Sequence, residues 1–191
     1  MHFPADNKSL EEAKRRLGFE EIFEMTLASL LNKHELLHEH AIKIPFIEEL
    51  AKKFVSNLPF ELTSAQKKVV WQIYKDIDKS QPMNRLVEGD VGSGKTVVGA
   101  MASLMVVNQG LQVALMAPTE LLARQHAESL HKLLEPMGLA EGIVLLVGGQ
   151  KQSHKKAIAS RIKSGQAKII VGTQALFQEK VEFNKLGLVI I

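Results

Sequence analysis

The chain of 191 residues is long enough for one medium-sized domain and a smaller segment, and its 46% hydrophobic residues suffice for a buried core. The absence of cysteine excludes a disulfide framework and thiol catalysis and fits a reducing compartment. Charges interrupt every apolar run before membrane-spanning length, and no signal peptide is recognisable, so we expect a cytoplasmic protein with no membrane contact.

The net charge of +3 is unevenly distributed. Residues 1–60 contain 8 Lys and Arg against 10 Asp and Glu, whereas residues 61–191 contain 16 against 11. A basic second part is compatible with a polyanionic partner such as nucleic acid. It is equally compatible with an ordinary solvated surface, so charge alone does not decide.

The first part of the chain predicts helices and contains no group of residues typical of a catalytic or binding site. Residues 1–8 are interpreted as an extended lead-in, and the S-x-x-E pattern that begins at Ser9 predicts a helix start. Apolar residues keep roughly helical spacing from there, so we expect this helix to end near Leu31.

Residues 32–44 predict a polar connector or a short helix. Within them His34 and His38 have a spacing that suits a metal ion, but no third ligand follows at a standard spacing, so no metal site is expected. Pro45 suits the first turn of another helix, which we expect to extend from Phe46 to about Asn57.

A second helix-start pattern, T-x-x-Q, lies at Thr63 and Gln66 and predicts a helix from Ser64 to about Lys79. Two interpretations of Gln66 stay open. Its side chain can complete the capping box, or its amide can hold an adenine edge, because an amide donates and accepts hydrogen bonds at once. The spacing does not choose between them.

The most specific pattern is G-x-x-x-x-G-K-[ST], the P-loop, at residues 89–96. The preceding Met83 to Glu88 segment predicts a short strand in which Leu86 and Val87 are buried. The following run from Thr96 to Val107 is long, apolar and free of proline, so it predicts a buried helix. This context of strand, loop and helix is the one that the pattern requires.

The P-loop predicts a site for a nucleoside triphosphate and Mg²⁺. Its glycines let successive N–H groups point at phosphate oxygens, next to the positive end of a helix. Lys95 would reach the β- and γ-phosphates, and the Thr96 hydroxyl would ligate Mg²⁺, so these two are also the predicted catalytic residues. The predicted nucleotide-binding residues here are Gly89, Asp90, Val91, Gly92, Ser93, Gly94, Lys95 and Thr96.

From the P-loop helix onward, short apolar strands alternate with helices. This alternation predicts an α/β fold in which helices cover both faces of a parallel sheet and ligands bind at the carboxyl ends of the strands. The predicted strands are Gln112–Ala117, Ile143–Val147, Lys168–Val171 and Leu188–Ile191, and the predicted helices are Glu120–Leu134, Ser153–Ser164 and a short one that begins at Gly172-Thr173 and ends at Phe177.

Five stretches of the chain match one family: residues 60–66, 82–98, 113–126, 171–178 and 186–191. They closely resemble the RecG family of superfamily 2 DNA helicases, translocases that remodel branched DNA. Residues 13–23 also resemble the helical segment that joins the wedge domain of that family to its motor. The P-loop is similar to that of the Mfd translocases as well, but the lead-in Pro82–Arg85 is closer to RecG.

The resemblance implies a RecA-like fold that binds ATP with Mg²⁺. It implies that Gln66 reads the adenine base and that Phe60 is a possible neighbour of the base. It also implies that branched double-stranded DNA is the partner of the intact protein.

The resemblance further implies two contacts with the DNA backbone. Pro118, Thr119 and Glu120 match motif Ia, and Gly172 with Thr173 matches motif Ib. N–H groups and hydroxyls at helix starts bind phosphate without reading sequence, which suits such contacts. Without the resemblance, both threonines would be interpreted as helix caps.

For domain organisation, we expect residues 1–58 to be a helical linker or the tail of a preceding wedge domain. Residues 59–191 are then the first RecA-like domain, truncated before the acidic motif II. The second RecA-like domain, with its arginine finger, and most of the wedge would lie elsewhere in the intact protein. We therefore expect nucleotide binding without useful hydrolysis.

Two alternatives stay open. One is another superfamily 2 motor, with Mfd or a primosomal helicase as the nearest candidates. The other is a non-enzymatic module that binds a nucleotide or DNA.

Overall fold

The computed structural model describes residues 6–36, 39–177 and 181–191. The chain divides into two compact units. The first comprises Met1–Ala41 with Ser80–Pro82, and the second comprises Ile42–Lys79 with Met83–Ile191. In the described part of the chain, no helix is both long enough and apolar enough to cross a membrane.

The first unit contains one long helix, α1, from Asn7 to Leu36. It begins earlier than predicted, so the extended lead-in was wrong for residues 7 and 8, whereas residues 1–5 lie outside the described part. The physical reason is a different cap: the Asp6 carboxylate accepts a hydrogen bond from the Ser9 N–H at 2.7 Å. This bond from the Ser9 backbone lowers the pKa of Asp6.

Helix α1 continues five residues beyond its predicted end, and its apolar side chains are exposed in this chain. Contacts one turn apart support it: the rings of Phe19 and Phe23 stack at 5.9 Å, and Arg16 pairs with Glu20 at 2.8 Å. His38, one of the two histidines with metal-like spacing, lies outside the described residues.

The second unit is built on a parallel sheet of four strands, which confirms the predicted α/β fold. The spatial order is β2-β3-β1-β4. The strands are β1 (Gln112–Met116), β2 (Ile143–Leu146), β3 (Ile169–Gly172) and β4 (Leu186–Ile190).

Helices cover both faces of this sheet. The helices of this unit are α2 (Glu48–Ser56), α3 (Ser64–Ile77), α4 (Lys95–Asn108), α5 (Glu120–Leu134) and α6 (Gln152–Lys163), with 3₁₀ turns at Glu135–Met137, Ala140–Gly142 and Gln174–Phe177. Alternate residues of β1 separate two cores: Val113 and Leu115 join the core that contains α4, whereas Ala114 joins the core that contains Ile158 and Ile162 of α6.

Helix α4 lies in the larger core and buries nearly all of its apolar side chains, as its sequence predicted. The buried Tyr74 hydroxyl of α3 donates to the Met101 carbonyl of α4 at 3.3 Å. Burial raises the pKa of Tyr74, so this phenol stays protonated as a donor.

The helix predicted to end near Asn57 is present as α2, but the position of Pro45 and one predicted strand before the P-loop were wrong. Pro45 does not lie in the first turn of a helix, because α2 begins only at Glu48. The backbone before α2 is instead tied to the end of α3, where the Ile44 N–H donates to the Ile77 carbonyl at 2.9 Å and the Ile44 side chain is buried.

The predicted strand Met83–Glu88 is also absent, and Leu86 is 81% exposed rather than buried. A strand forms only where a neighbour supplies its hydrogen-bond ladder. The four described strands pair with one another, and this segment joins none of them. Side-chain contacts hold it instead.

Candidate nucleotide and nucleic-acid site

The P-loop lies between the irregular segment that ends at Glu88 and the start of α4 at Lys95. Gly92 and Gly94 have φ values of +83° and +84°, a left-handed conformation that favours glycine. A Cβ at Gly94 would also collide with the Gln66 side-chain amide. The loop therefore needs glycine at these two positions. The N-terminus of α4 comes directly after the loop.

The Lys95 ammonium group, at the end of the P-loop, forms hydrogen bonds with the backbone at the start of the loop. Its Nζ donates to the Gly89 carbonyl at 2.6 Å and to the Asp90 carbonyl at 2.9 Å. The Asp90 carbonyl also accepts from the Ser93 N–H at 3.1 Å. Lys95 is exposed, so a phosphate can replace these carbonyls as its partner.

Gln66 connects α3 to the P-loop. Its Oε1 accepts from the Thr63 N–H at 2.9 Å, and its own N–H donates to Thr63 Oγ1 at 3.2 Å, which confirms the capping box. Its Nε2 donates to the Ser93 carbonyl at 2.8 Å. Each end of the amide keeps one hydrogen-bonding position, so capping does not exclude a role with adenine.

The other predicted nucleotide-binding residues are accessible. Phe60 is about half exposed and borders an open cleft of about 520 Å³ together with Leu58 and Lys67. Val91, in the middle of the loop, is fully exposed. Nothing in their contacts assigns Phe60 or Val91 a binding role.

The residues present fit a Mg²⁺ ion that is held mainly by phosphates and water. The Thr96 hydroxyl, in the first turn of α4, could supply one oxygen ligand, and Mg²⁺ commonly keeps several waters beside such a ligand. Elsewhere in the described part of the chain, no group of three His, Cys, Asp or Glu side chains could hold a metal ion.

An ion-pair cluster that the sequence did not predict holds the segment before the P-loop against α3. The Arg85 guanidinium donates to the Asp76 carboxylate of α3, with Nε at 2.7 Å, and Lys79 pairs with the same carboxylate at 2.8 Å. Burial by itself would raise the pKa of Asp76, but the hydrogen bonds from Lys79 and Arg85 outweigh it and lower that pKa.

The carboxyl ends of β1 and β3 bring the two predicted DNA-binding segments together. Met116 pairs with Gly172, and the Ala117 N–H donates to the Gly172 carbonyl at 2.8 Å, so Thr119 and Thr173 follow neighbouring strand ends. Thr119 Oγ1 accepts from the Leu122 N–H at 3.3 Å and caps α5, as predicted. The exposed Pro118 precedes this cap.

Packing alone requires glycine at position 172, because a Cβ there would collide with the Leu146 carbonyl of β2. A third loop at the same sheet edge, Gly148-Gly149, had no predicted role. It contacts Glu120, whose Oε1 accepts from the Gly149 N–H at 2.8 Å. Two adjacent glycines after a predicted strand were the available signal.

A DEAD/DEAH box helicase family model matches residues 63–191. The whole chain aligns with ATP-dependent DNA helicase RecG of Aquifex aeolicus at 42% identity and with that of Synechocystis sp. at 46%, over 25% and 23% of those proteins. The solved structure "RecG bound to three-way DNA junction" matches 98% of this chain at 40% identity and a TM-score of 0.81, over 25% of its own length.

These matches confirm the resemblance to RecG helicases that the residues indicated. The chain spans about a quarter of the length of the relatives that it matches. The family match covers about two thirds of the chain and includes the P-loop and both predicted DNA-binding segments. The chain belongs to the DEAD/DEAH box helicase family.

Proposed function

We propose that this chain is the ATP-binding part of a RecG-like DNA motor that remodels branched double-stranded DNA. The observation that carries the proposal is the P-loop geometry: two left-handed glycines lead into α4, and Lys95 lies against the loop. The similarity to a RecG structure with a three-way DNA junction supports the DNA substrate. The expected cytoplasmic location remains a prediction.

In this proposal the P-loop backbone from Gly89 to Gly94 binds the phosphates, and Lys95 orients and neutralises the terminal ones. Thr96 holds Mg²⁺, which would stabilise charge that develops on the transferred phosphoryl group. Gln66 reads adenine, and Phe60 lies beside the base. The hydrogen bond from Gln66 to Ser93 would connect base recognition to the phosphate loop.

The DNA backbone lies along the carboxyl edge of the sheet. Thr119 and Thr173 would meet phosphates with hydroxyl and N–H groups, while Pro118 and Gly172 shape those two turns. Such contacts position a strand without reading bases, so binding is independent of sequence.

For the intact protein we propose that residues 1–58 connect a wedge domain to the motor and that residues 59–191 belong to the first RecA-like domain. A second RecA-like domain would complete the ATP site. Lys95 and Thr96 bind a nucleotide but do not activate water, so we predict that this chain by itself hydrolyses ATP at a negligible rate.

The test is binding of a fluorescent ATP analogue with Mg²⁺, with Lys95→Ala as the variant and Lys132→Ala, at an exposed position in the last turn of α5, as the matched control. We expect Lys95→Ala to weaken binding at least tenfold, because it removes a charge-assisted contact with phosphate, and the control to bind like the wild type. Equal binding by all three chains would overturn the nucleotide site. Rapid hydrolysis that depends on Lys95 would overturn the predicted inactivity.

A further inference from the structure

The peptide group between Gly148 and Gly149 is held at both ends by side chains of opposite charge. Its N–H, which belongs to Gly149, donates to Glu120 Oε1 of α5 at 2.8 Å. Its carbonyl, which belongs to Gly148, accepts from Lys155 Nζ of α6 at 2.5 Å. Both are charge-assisted hydrogen bonds, so together they fix the plane of this exposed peptide group.

The two glycines are explained by this contact and not by backbone conformation. Neither has a positive φ, so an alanine could adopt the backbone conformation at either position. A Cβ at Gly148 would lie 3.1 Å from Glu120 Oε1, and a Cβ at Gly149 would lie 3.2 Å from Oε2. Glycine at both positions therefore allows the carboxylate to approach the loop closely.

The held peptide group lies at the sheet edge of the proposed DNA site. Leu146 of β2 pairs with Gly172 of β3, and Gly172 pairs with Met116 of β1, so the turns after these three strands are neighbours. Glu120 directs its carboxylate at this loop. A carboxylate that faced the DNA would repel phosphate, whereas this one is engaged by a backbone donor.

We propose that Glu120 and Lys155 are positioning residues for nucleic-acid binding, which act through the Gly148–Gly149 peptide group and do not touch the nucleic acid. They hold the glycine backbone against the phosphates of a strand that passes Thr119 and Thr173. This role rests on the proposed function. Glu120 lies in a segment that was predicted to contact DNA, and in this proposal it acts on the DNA only through the Gly148–Gly149 peptide group.

The first measurement does not require DNA. Amide hydrogen exchange of Gly149, followed by NMR, reports whether its N–H is held. We expect slow exchange in the wild type and in Glu120→Gln, whose amide oxygen still accepts the hydrogen bond, and at least fivefold faster exchange in Glu120→Ala. Equal exchange in all three chains would overturn the proposed hold on the loop.

The second measurement is fluorescence anisotropy with a short labelled duplex DNA over a range of salt concentrations. We expect Glu120→Ala to raise Kd about fivefold and Glu120→Gln to stay within about twofold of the wild type. The slope of log K against log salt should not change, because no phosphate contact with a charged group is lost. The control Glu128→Ala removes an exposed carboxylate of the same helix and should not weaken binding.

Lys155 gives an independent variant. Lys155→Met should weaken binding with an unchanged salt slope, whereas a slope reduced by about one would reveal a direct phosphate contact and overturn its positioning role. Tighter binding by both Glu120 variants would show a simple repulsive charge and overturn the role of Glu120. If the wild-type chain does not bind DNA, the proposed function fails, while the exchange of the Gly149 amide still tests the hold on the loop.

Discussion

Gln66 takes part both in the capping box of α3 and in a hydrogen bond with the distant P-loop. Its backbone and Oε1 complete the cap of α3, while its Nε2 reaches Ser93, 27 residues away, in the P-loop. A substitution can therefore separate the cap from the loop contact. This makes Gln66 the most informative single position in the proposed nucleotide site.

We predict that Gln66→Ala lowers the affinity for ATP about tenfold and abolishes the preference for ATP over GTP, because it removes the amide that donates to and accepts from adenine. Gln66→Glu keeps an acceptor for the Thr63 N–H but loses the donor to Ser93. It should therefore keep the cap of α3 but bind ATP weakly, because an acceptor then faces the Ser93 carbonyl. Competition binding with ATP and GTP, together with thermal unfolding, checks both variants. A wild-type chain without preference for ATP would contradict this role.

At the scale of elements, Gln112 connects three segments that are remote in sequence. Its side chain is buried, and its Nε2 donates to the carbonyls of Ile162 and Ala167 at 2.9 and 2.7 Å. Its Oε1 accepts from the N–H groups of Asn184 and Lys185 at 2.7 and 3.1 Å. One side-chain amide thus forms hydrogen bonds with backbone groups at the end of α6 and in the segments that precede β3 and β4.

We predict that Gln112→Leu lowers the free energy of unfolding by about 3 kcal/mol, because several buried backbone groups lose their partner at once. The exposed Gln166 lies in the same region, so Gln166→Leu is a matched control and should change stability by less than about 0.5 kcal/mol. Urea denaturation of both variants is the measurement. Equal stability of the two would show that Gln112 is not a structural connection.

The ion-pair cluster at Asp76 anchors the segment before the P-loop to α3, and its contribution depends on pH. The pKa of Asp76 is lower in the folded chain than the ordinary 3.8, so the stabilisation is complete above that value and is lost as pH falls through the lowered pKa. Asp76→Asn should therefore lower the free energy of unfolding by about 1 kcal/mol at neutral pH.

The difference between wild type and Asp76→Asn should vanish below the lowered pKa, and urea denaturation at a series of pH values measures it. Asp78→Asn, at an exposed position two residues away, is the control and should have a small effect at every pH. A difference between wild type and Asp76→Asn that persists at low pH would show that the carboxylate charge is not the cause.

At the scale of the whole molecule, the second half of the chain is basic and presents turns of three adjacent strands at one sheet edge. We predict weak binding of duplex DNA, with similar affinity for unrelated sequences. The affinity should fall about tenfold between about 50 and about 200 mM salt, because few phosphates are neutralised. Anisotropy titrations with two unrelated duplexes are the measurement. Tight, salt-insensitive binding to one sequence would contradict the proposed function.

The sequence by itself determined the P-loop, the alternation of strands and helices after it, and the caps at Thr63 and Thr119. These features depend on residues within a few positions of one another, so their patterns are visible in the chain. The same locality explains the confirmed extents of α4, α5 and the four strands, whose ends differ from the predicted bounds by at most two residues.

Only the tertiary structure decided which partners distant groups have. The segment around Leu86 looked like a strand, but a strand needs a neighbour, and its local pattern contains no information about one. The bonds from Gln66 to Ser93, from Glu120 to Gly149 and from Gln112 to Asn184 join residues 27, 29 and 72 positions apart. Such contacts arise from the packing of helices on the sheet, so no local pattern predicts them.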